Sequence, residues 1–483
     1  MEQKNNPFCF RRIKVTQAFR KAFCPRIKCL PQLLPCLAAL ACTESTHAGY
    51  EANLPIRPLT TTSAKSDQPL ASKETAPDPL RIVLAPMDGA SRADDEIRRY
   101  QQMVRSGIGR APALNCLGWA FVAKARESLD SGFYKLAEIC ANILESEMPG
   151  SSEVLLLRGH ILQNLHQFKE AEPLARRLVA QRGRSYDHAL LGDVLMEQGK
   201  LKEAVVAYQA MVDELPDLHS YARVAHIRWL TGDLEGALIV MRAAVTASSS
   251  RDAGSAAWAN MRLANLEFQA GQTKRAGQHC ETALAYCKDY PPALLLQGKM
   301  LLASNDFGNA ASILERAVEH APLPEYQWAL TEALRAADRE SEAVAVEARL
   351  KKQGAKADPR TYSIYLATQS ESSDLAVRLA EMEFKERQDV FTHDALAWAL
   401  LASGRVDEAR IHMKAALAEG TPDARLFFHA AVVMARTGQI AEAQDWFSRA
   451  QKVSNQLLPS EQRRLAQLAN EFAMSAAATS SQD

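Results

Sequence analysis

The 483-residue chain has no excess of either charge: 57 Lys and Arg stand against 57 Asp and Glu. Residues 1–41 hold eight of the bases (Lys4, Arg11, Arg12, Lys14, Arg20, Lys21, Arg26, Lys28) and one acid, Glu2, so the remainder carries seven more acids than bases. An acidic body offers no basic face to phosphates, which argues against a nucleic-acid partner. A long hydrophobic run is missing too. The apolar stretch from Cys29 to Cys42 is broken by Pro31, Gln32 and Pro35 and is too short to span a membrane. Cysteine is sparse outside the head of the chain, where five of the nine lie (Cys9, Cys24, Cys29, Cys36, Cys42), and none has zinc-ligand spacing. Cys280 and Cys287 share one helix about 10.5 Å apart along its axis, too far for a disulfide. Together with Cys116 and Cys140 they are expected to be small buried packing residues. Catalytic motifs are missing as well. There is no Gly-x-Ser-x-Gly, His-Glu-x-x-His or Cys-x-x-Cys, and Gly107-Ile108-Gly109 is an isolated glycine pair rather than a phosphate loop. Neither an enzyme nor a bound cofactor is expected.

What is present is a period. Ala137, Ala171, Ala204, Ala237, Ala276, Ala310, Ala343, Ala376, Ala409 and Ala443 follow one another at intervals of 33 or 34 residues, with a single gap of 39. Such a period marks a stacked helix–turn–helix repeat. With this alanine as repeat position 20, position 8 is small (Gly159, Gly192, Ala225, Ala264, Gly298, Ala397, Ala431). Position 15 is often glycine (Gly199, Gly232, Gly271, Gly404, Gly438), which suits a tight interhelical turn. Position 32 carries Pro149, Pro216 and Pro322, which a helix cannot continue through. Larger side chains at position 24 (Tyr208, Met241, Leu314, Met413, Phe447) are expected to fill the space between pairs.

These residues resemble the tetratricopeptide-repeat (TPR) family over about residues 111–453. The resemblance implies an all-α, right-handed superhelical solenoid of about ten helix–turn–helix repeats with terminal capping helices. The first repeat is expected to have longer helices, because Ala137 comes 19 residues after Gly118 instead of 12. The long gap predicts a flexible loop at residues 246–256. Repeat eight is degenerate, with Ile364 at position 8. Residues 92–110 are read as an N-terminal cap, with Ile97, Tyr100 and Val104 on one face. Residues 454–483 are read as a C-terminal capping helix followed by a disordered tail from Ala473. Residues 1–48 resemble an export signal with a long basic head, with cleavage after Ala41 or Ala48. Ala39-Leu40-Ala41-Cys42 is similar to a lipoprotein box that would leave Cys42 lipidated. Residues 49–91, rich in Pro, Ser, Thr and Ala, read as a disordered linker. The chain so read resembles bacterial exported TPR proteins, periplasmic or envelope-associated; a cytoplasmic scaffold follows if the head is retained.

The family's first helices line the concave face through positions 2, 5, 9 and 12. Five of the six tryptophans fall there: Trp258, Trp328, Trp119, Trp398 and Trp229. Phe268, Tyr365, Phe391 and Phe428 join them. Position 9 read down the stack includes His160, Asp193, His226 and Asn265. The expected partner-binding groove is therefore Trp119, His160, Asp193, His226, Trp229, Trp258, Asn265, Phe268, Trp328, Tyr365 and Trp398. Aromatic anchors suit a protein or peptide partner, or sugar rings stacked on the indoles. Packing between neighbouring first helices is equally compatible with these positions. His160, Asp193 and His226 on adjacent repeats are read as hydrogen-bonding groups rather than a metal site, because neighbouring helices stand a helix diameter apart.

Overall fold

The computed structural model describes residues 78–480 other than Ile108 and Leu129, with backbone alone for 475–480. The export-like segment 1–48, Cys42 and most of the linker therefore lie outside the described residues. Those residues hold 23 α-helices, and no strand occurs among them. They form two compact units, 78–165 and 166–480.

In the first unit, Arg92–Ser106 lies against Arg110–Ser128, which pairs with Gly132–Glu147 and is followed by Ser152–Asn164. A capping box starts the first of these helices. Ser91 N–H donates to Asp94 at 3.0 Å, Asp94 N–H returns to the Ser91 hydroxyl at 3.4 Å, and Lys124 closes on Asp94 at 2.9 Å. Ile97, Tyr100 and Val104 are buried. The first helix of repeat one runs 19 residues, against 13 for Ser152–Asn164. Pro79–Val83, inside the stretch read as linker, forms a short helix with Val83 buried. Cys116 departs from the expectation of free thiols. It is disulfide-bonded, whereas Cys140 and Cys280 are free and buried.

The second unit is a stack of helix pairs. Repeats 3 to 6 are Ser185–Glu197 with Leu201–Glu214, Leu218–Leu230 with Leu234–Ala247, Ala253–Gln269 with Thr273–Tyr286, and Pro291–Ala303 with Phe307–His320. Repeats 7 to 10 are Pro324–Ala336 with Glu340–Ala357, Pro359–Thr368 with Ser373–Glu386, Val390–Ala402 with Val406–Leu417, and Ala424–Arg436 with Ile440–Lys452. Phe168–Gln181, the second helix of repeat 2, precedes them, and Pro459–Ser480 follows. That last helix continues through residues 473–480, where a disordered tail was expected.

Position 8 is small because position 24 of the same pair lies on it. A Cβ on Gly192 would meet the Tyr208 ring at 2.4 Å, and one on Gly298 would meet Leu314 at 2.5 Å. Tyr208 and Leu314 thus fill the crossing within a pair, whereas Phe447 packs edge-on at 5.6 Å against Phe472 of the last helix, beyond its own pair. Position 15 is left-handed in repeats 2 to 7, 9 and 10 whether or not it is glycine: Gly232 has φ 86°, and His166, Asn305 and Asp338 have φ of 58°, 61° and 58°. The turn closes with that φ, and Asn and Asp tolerate it best after glycine. The insertion between repeats 4 and 5 is mostly helix. Only residues 248–252 are loop, and Ala253–Gln269 reaches 17 residues.

Candidate functional site

The concave positions of the second unit carry the aromatic side chains expected there, and the unit's own residues cover them. Trp328 is fully buried: its Nε1–H donates to Glu332 at 3.1 Å, Tyr365 packs edge-on at 5.7 Å, and the Arg425 guanidinium lies 4.9 Å above it. Trp398 stacks on His429 at 3.9 Å, donates Nε1–H to Thr368 at 3.0 Å and lies under Arg464 at 4.4 Å. Tyr365 donates its hydroxyl to Glu347 and stacks on Tyr362. Trp258 and Phe268 are each 4% exposed. Asn265 is half-buried. Stacking on a sugar or peptide needs an open ring face, and no groove tryptophan of this unit exceeds 4% exposure.

The polar members of the groove are committed as well. Asp193 accepts a two-pronged pair from Arg223 at 2.8 Å each and a bond from the Tyr208 hydroxyl at 2.8 Å. Burial, with Arg262 adding to it, holds the His226 pKa well below its ordinary value. The neutral ring contacts Arg262 through Nδ1 at 2.9 Å and lies 5.5 Å from Trp229. In the first unit, Trp119 and His160 meet edge-on at 5.1 Å and both are buried. No set of three or more His, Cys, Asp or Glu among the described residues is arranged to hold a metal ion.

What covers the second unit's concave face is a seam between residues about 190 positions apart. Gln388 N–H donates to the Glu197 carbonyl at 3.1 Å. One repeat on, the Thr421 hydroxyl donates to the Leu230 carbonyl at 2.6 Å. One repeat further, Gln456 Nε2 donates to the Phe268 and Gln269 carbonyls, both at 3.2 Å. The acceptors fall at repeat positions 12 and 13 of repeats 3, 4 and 5. The donors fall at positions 32 and 33 of repeats 8, 9 and 10. The stack therefore coils until turns of repeats 3–5 meet interrepeat loops five repeats later. Backbone approach is close. A Cβ on Gly199 would stand 2.5 Å from the Gln388 carbonyl oxygen, and one on Gly232 would stand 3.1 Å from that of Gly420.

Side chains reinforce the seam. Trp229 stacks on Phe391 at 5.7 Å. Arg387, 2% exposed, pairs with Glu197 across the seam and with Asp389 at 3.1 Å, and covers the Phe168 ring. Burial works against the Arg387 charge, but Glu197, Asp389 and Glu383 more than restore it, so its pKa stays above the ordinary value. The C-terminal helix adds contacts further along. Ser460 N–H donates to Glu332 at 3.1 Å and Arg425 pairs with Glu461 at 2.6 Å.

A tetratricopeptide-repeat family model matches residues 156–219 and 395–456. Over these two segments the chain carries tetratricopeptide repeats. The matched segments coincide with regular stretches of the repeat, while the 39-residue gap and degenerate repeat eight fall between them. No curated protein matches the chain. The TPR fold explains the concave register but not the seam, and sequence reasoning missed Arg387, Gln388, Thr421 and Gln456. One signal was available. Position 32 is proline in repeats 1, 3 and 6 but Gln388 and Thr421 in repeats 8 and 9. Proline has no N–H, so it cannot make the bond that Gln388 makes.

Proposed function

We propose that this TPR protein is a scaffold, without catalytic activity, that holds a protein or peptide partner, and that the partner reaches the aromatic concave face by parting the seam. TPR repeats generally mediate protein–protein interaction, which supports the first half. The observation that carries the second is the make-up of the seam: hydrogen bonds between loops and turns, the Trp229–Phe391 stack, the Arg387–Glu197 ion pair and the Arg387–Phe168 contact, with the paired helices of each repeat on one side of it. Opening it breaks no helix pair. At about 0.5–1.5 kcal/mol per hydrogen bond, a seam worth about 4 kcal/mol would lower apparent affinity for the concave face about a thousandfold. A second reading places the partner on the outer surface. Position 22 is apolar and exposed in three successive repeats, at Pro173, Val206 and Ile239, with Val206 70% exposed and Ile239 56%.

Crosslinked affinity capture from the native host separates the two. The baits are the wild-type chain, a seam-loosened Thr421→Val/Gln456→Ala chain and an outer-face Val206→Asp/Ile239→Asp chain. Concave binding is expected to give at least tenfold more captured partner with the loosened bait. Equal capture by the first two and loss with the third would move the site to the outer face. Residues 1–48 are proposed to direct export to the envelope, with Cys42 as a lipid acceptor. The mass of the chain recovered from its host reads this directly: a cleaved or lipidated mass supports export, and an intact one supports a cytoplasmic scaffold.

A further inference from the structure

Two imidazoles meet nitrogen to nitrogen in repeat 9. His393 on the first helix and His412 on the second hold their Nδ1 atoms 3.1 Å apart, and Phe384 packs edge-on to both rings at 4.9 and 5.0 Å. They occupy repeat positions 4 and 23, which face each other in other repeats too. In repeat 5 these positions hold Asn260 and His279, with Oδ1 and Nδ1 3.1 Å apart. In repeat 10 they hold Phe427 and Trp446, 5.6 Å between ring centroids. The contact staples the two helices of a pair, and a staple does not need two imidazoles. A hydrogen bond between two neutral imidazoles leaves one proton between two convergent lone pairs. Two nitrogen ligands at about 2.0–2.1 Å from one ion stand about 3.1 Å apart when the angle between them is about 100°.

We propose that His393 and His412 form a two-imidazole site for a divalent transition ion of the Cu²⁺, Ni²⁺ or Zn²⁺ class, with water completing its shell. Imidazole suits these ions, and both rings are partly open to solvent. Burial, with His412 second, pushes the His393 pKa down to about 4, and burial also lowers that of His412, so both ligands are neutral near pH 7. The charged groups facing the pair are Asp389 at His393, and Glu408, Glu381 and Arg405 at His412, an acidic balance that favours a cation. Binding moves the bridging proton to the far nitrogen of its own ring, so no net proton is exchanged at neutral pH.

The test titrates Ni²⁺ into the metal-free full-length chain, its disulfide intact, by calorimetry. Alongside it run His393→Asn, which copies the Asn260 staple of repeat 5 and so keeps the fold, His412→Gln, and the repeat-5 control His279→Gln. Loss of one imidazole from a preorganised pair is expected to weaken Ni²⁺ about tenfold or more, with the control unchanged. The Cu²⁺ electron-spin spectrum should show coupling to two nitrogens in the wild type and one in His393→Asn. Undetectable Ni²⁺ binding at millimolar concentration, or equal affinity in the wild type and His393→Asn, would overturn the proposal and leave the pair a helix staple.

Discussion

Replacing Arg387 with methionine is expected to destabilise the 166–480 unit by about 3–5 kcal/mol, the usual cost of removing one partner from a buried ion pair. The side chain is 2% exposed and faces Glu197 from repeat 3, with Asp389 at 3.1 Å on its own loop and the Phe168 ring beneath it. Methionine keeps most of the volume, so the loss is electrostatic. Glu197, Glu383 and Asp389 would remain as acids around Arg360, which pairs with Asp389 at 3.2 Å. Exposed pairs in the same unit serve as the comparison. Arg449→Met, opposite Asp445 at 2.9 Å with both side chains at least half exposed, should cost less than about 1 kcal/mol. Urea unfolding of the three chains measures the difference. Similar midpoints for Arg387→Met and Arg449→Met would mean that Arg387 is solvated and the seam is not closed.

Trp328→Ala should cost a similar amount, about 3–5 kcal/mol. This indole is fully buried between Tyr365 and Arg425, and its Nε1–H satisfies Glu332. Burial already raises the Glu332 pKa above its ordinary range. Removing the indole leaves a cavity and takes one hydrogen bond from a buried carboxyl, and both effects have the same sign. A tryptophan on an open groove wall would behave otherwise. Its truncation would change stability by less than about 0.5 kcal/mol while abolishing binding. Thermal unfolding followed by near-ultraviolet circular dichroism distinguishes the two, and an unchanged transition in Trp328→Ala would return this residue to the groove.

These two variants show what the sequence could and could not say. The alanine period names the repeat, its small positions and its turns, because helix-pair crossings depend on residues within one period. Trp328 and Trp398 could be placed on the concave side for the same reason. Whether that side is open depends on how tightly the stack coils, which is decided by contacts such as Thr421 with Leu230, 191 residues apart. No local pattern encodes such a contact beyond a polar residue at position 32, where repeats 1, 3 and 6 have proline but Ser249 and Lys288 are polar as well. The 39-residue gap misled in a different way. Its Ser- and Gly-rich composition suggested a loop, yet most of it extends Ala253–Gln269, whose Asp252 cap accepts from Ser255 N–H at 3.2 Å. The His393–His412 pair escaped notice because its members lie 19 residues apart on two helices, and only the crossing of that pair brings the rings together.

The closed seam is tested most directly by amine crosslinking. Lys169 Nζ reaches the Lys385 carbonyl oxygen, 216 residues away along the chain. A short lysine-reactive linker, analysed on the monomer by mass spectrometry, should join Lys169 to Lys385. The Gly199→Ala chain should lose the product, because its Cβ would stand 2.5 Å from the Gln388 carbonyl oxygen. Gly271→Ala shares the left-handed backbone, with φ 72° against 71°, but has open space around it and should keep the product. Recovery of local crosslinks such as Lys200–Lys202 without Lys169–Lys385 in the wild type would contradict the closed coil.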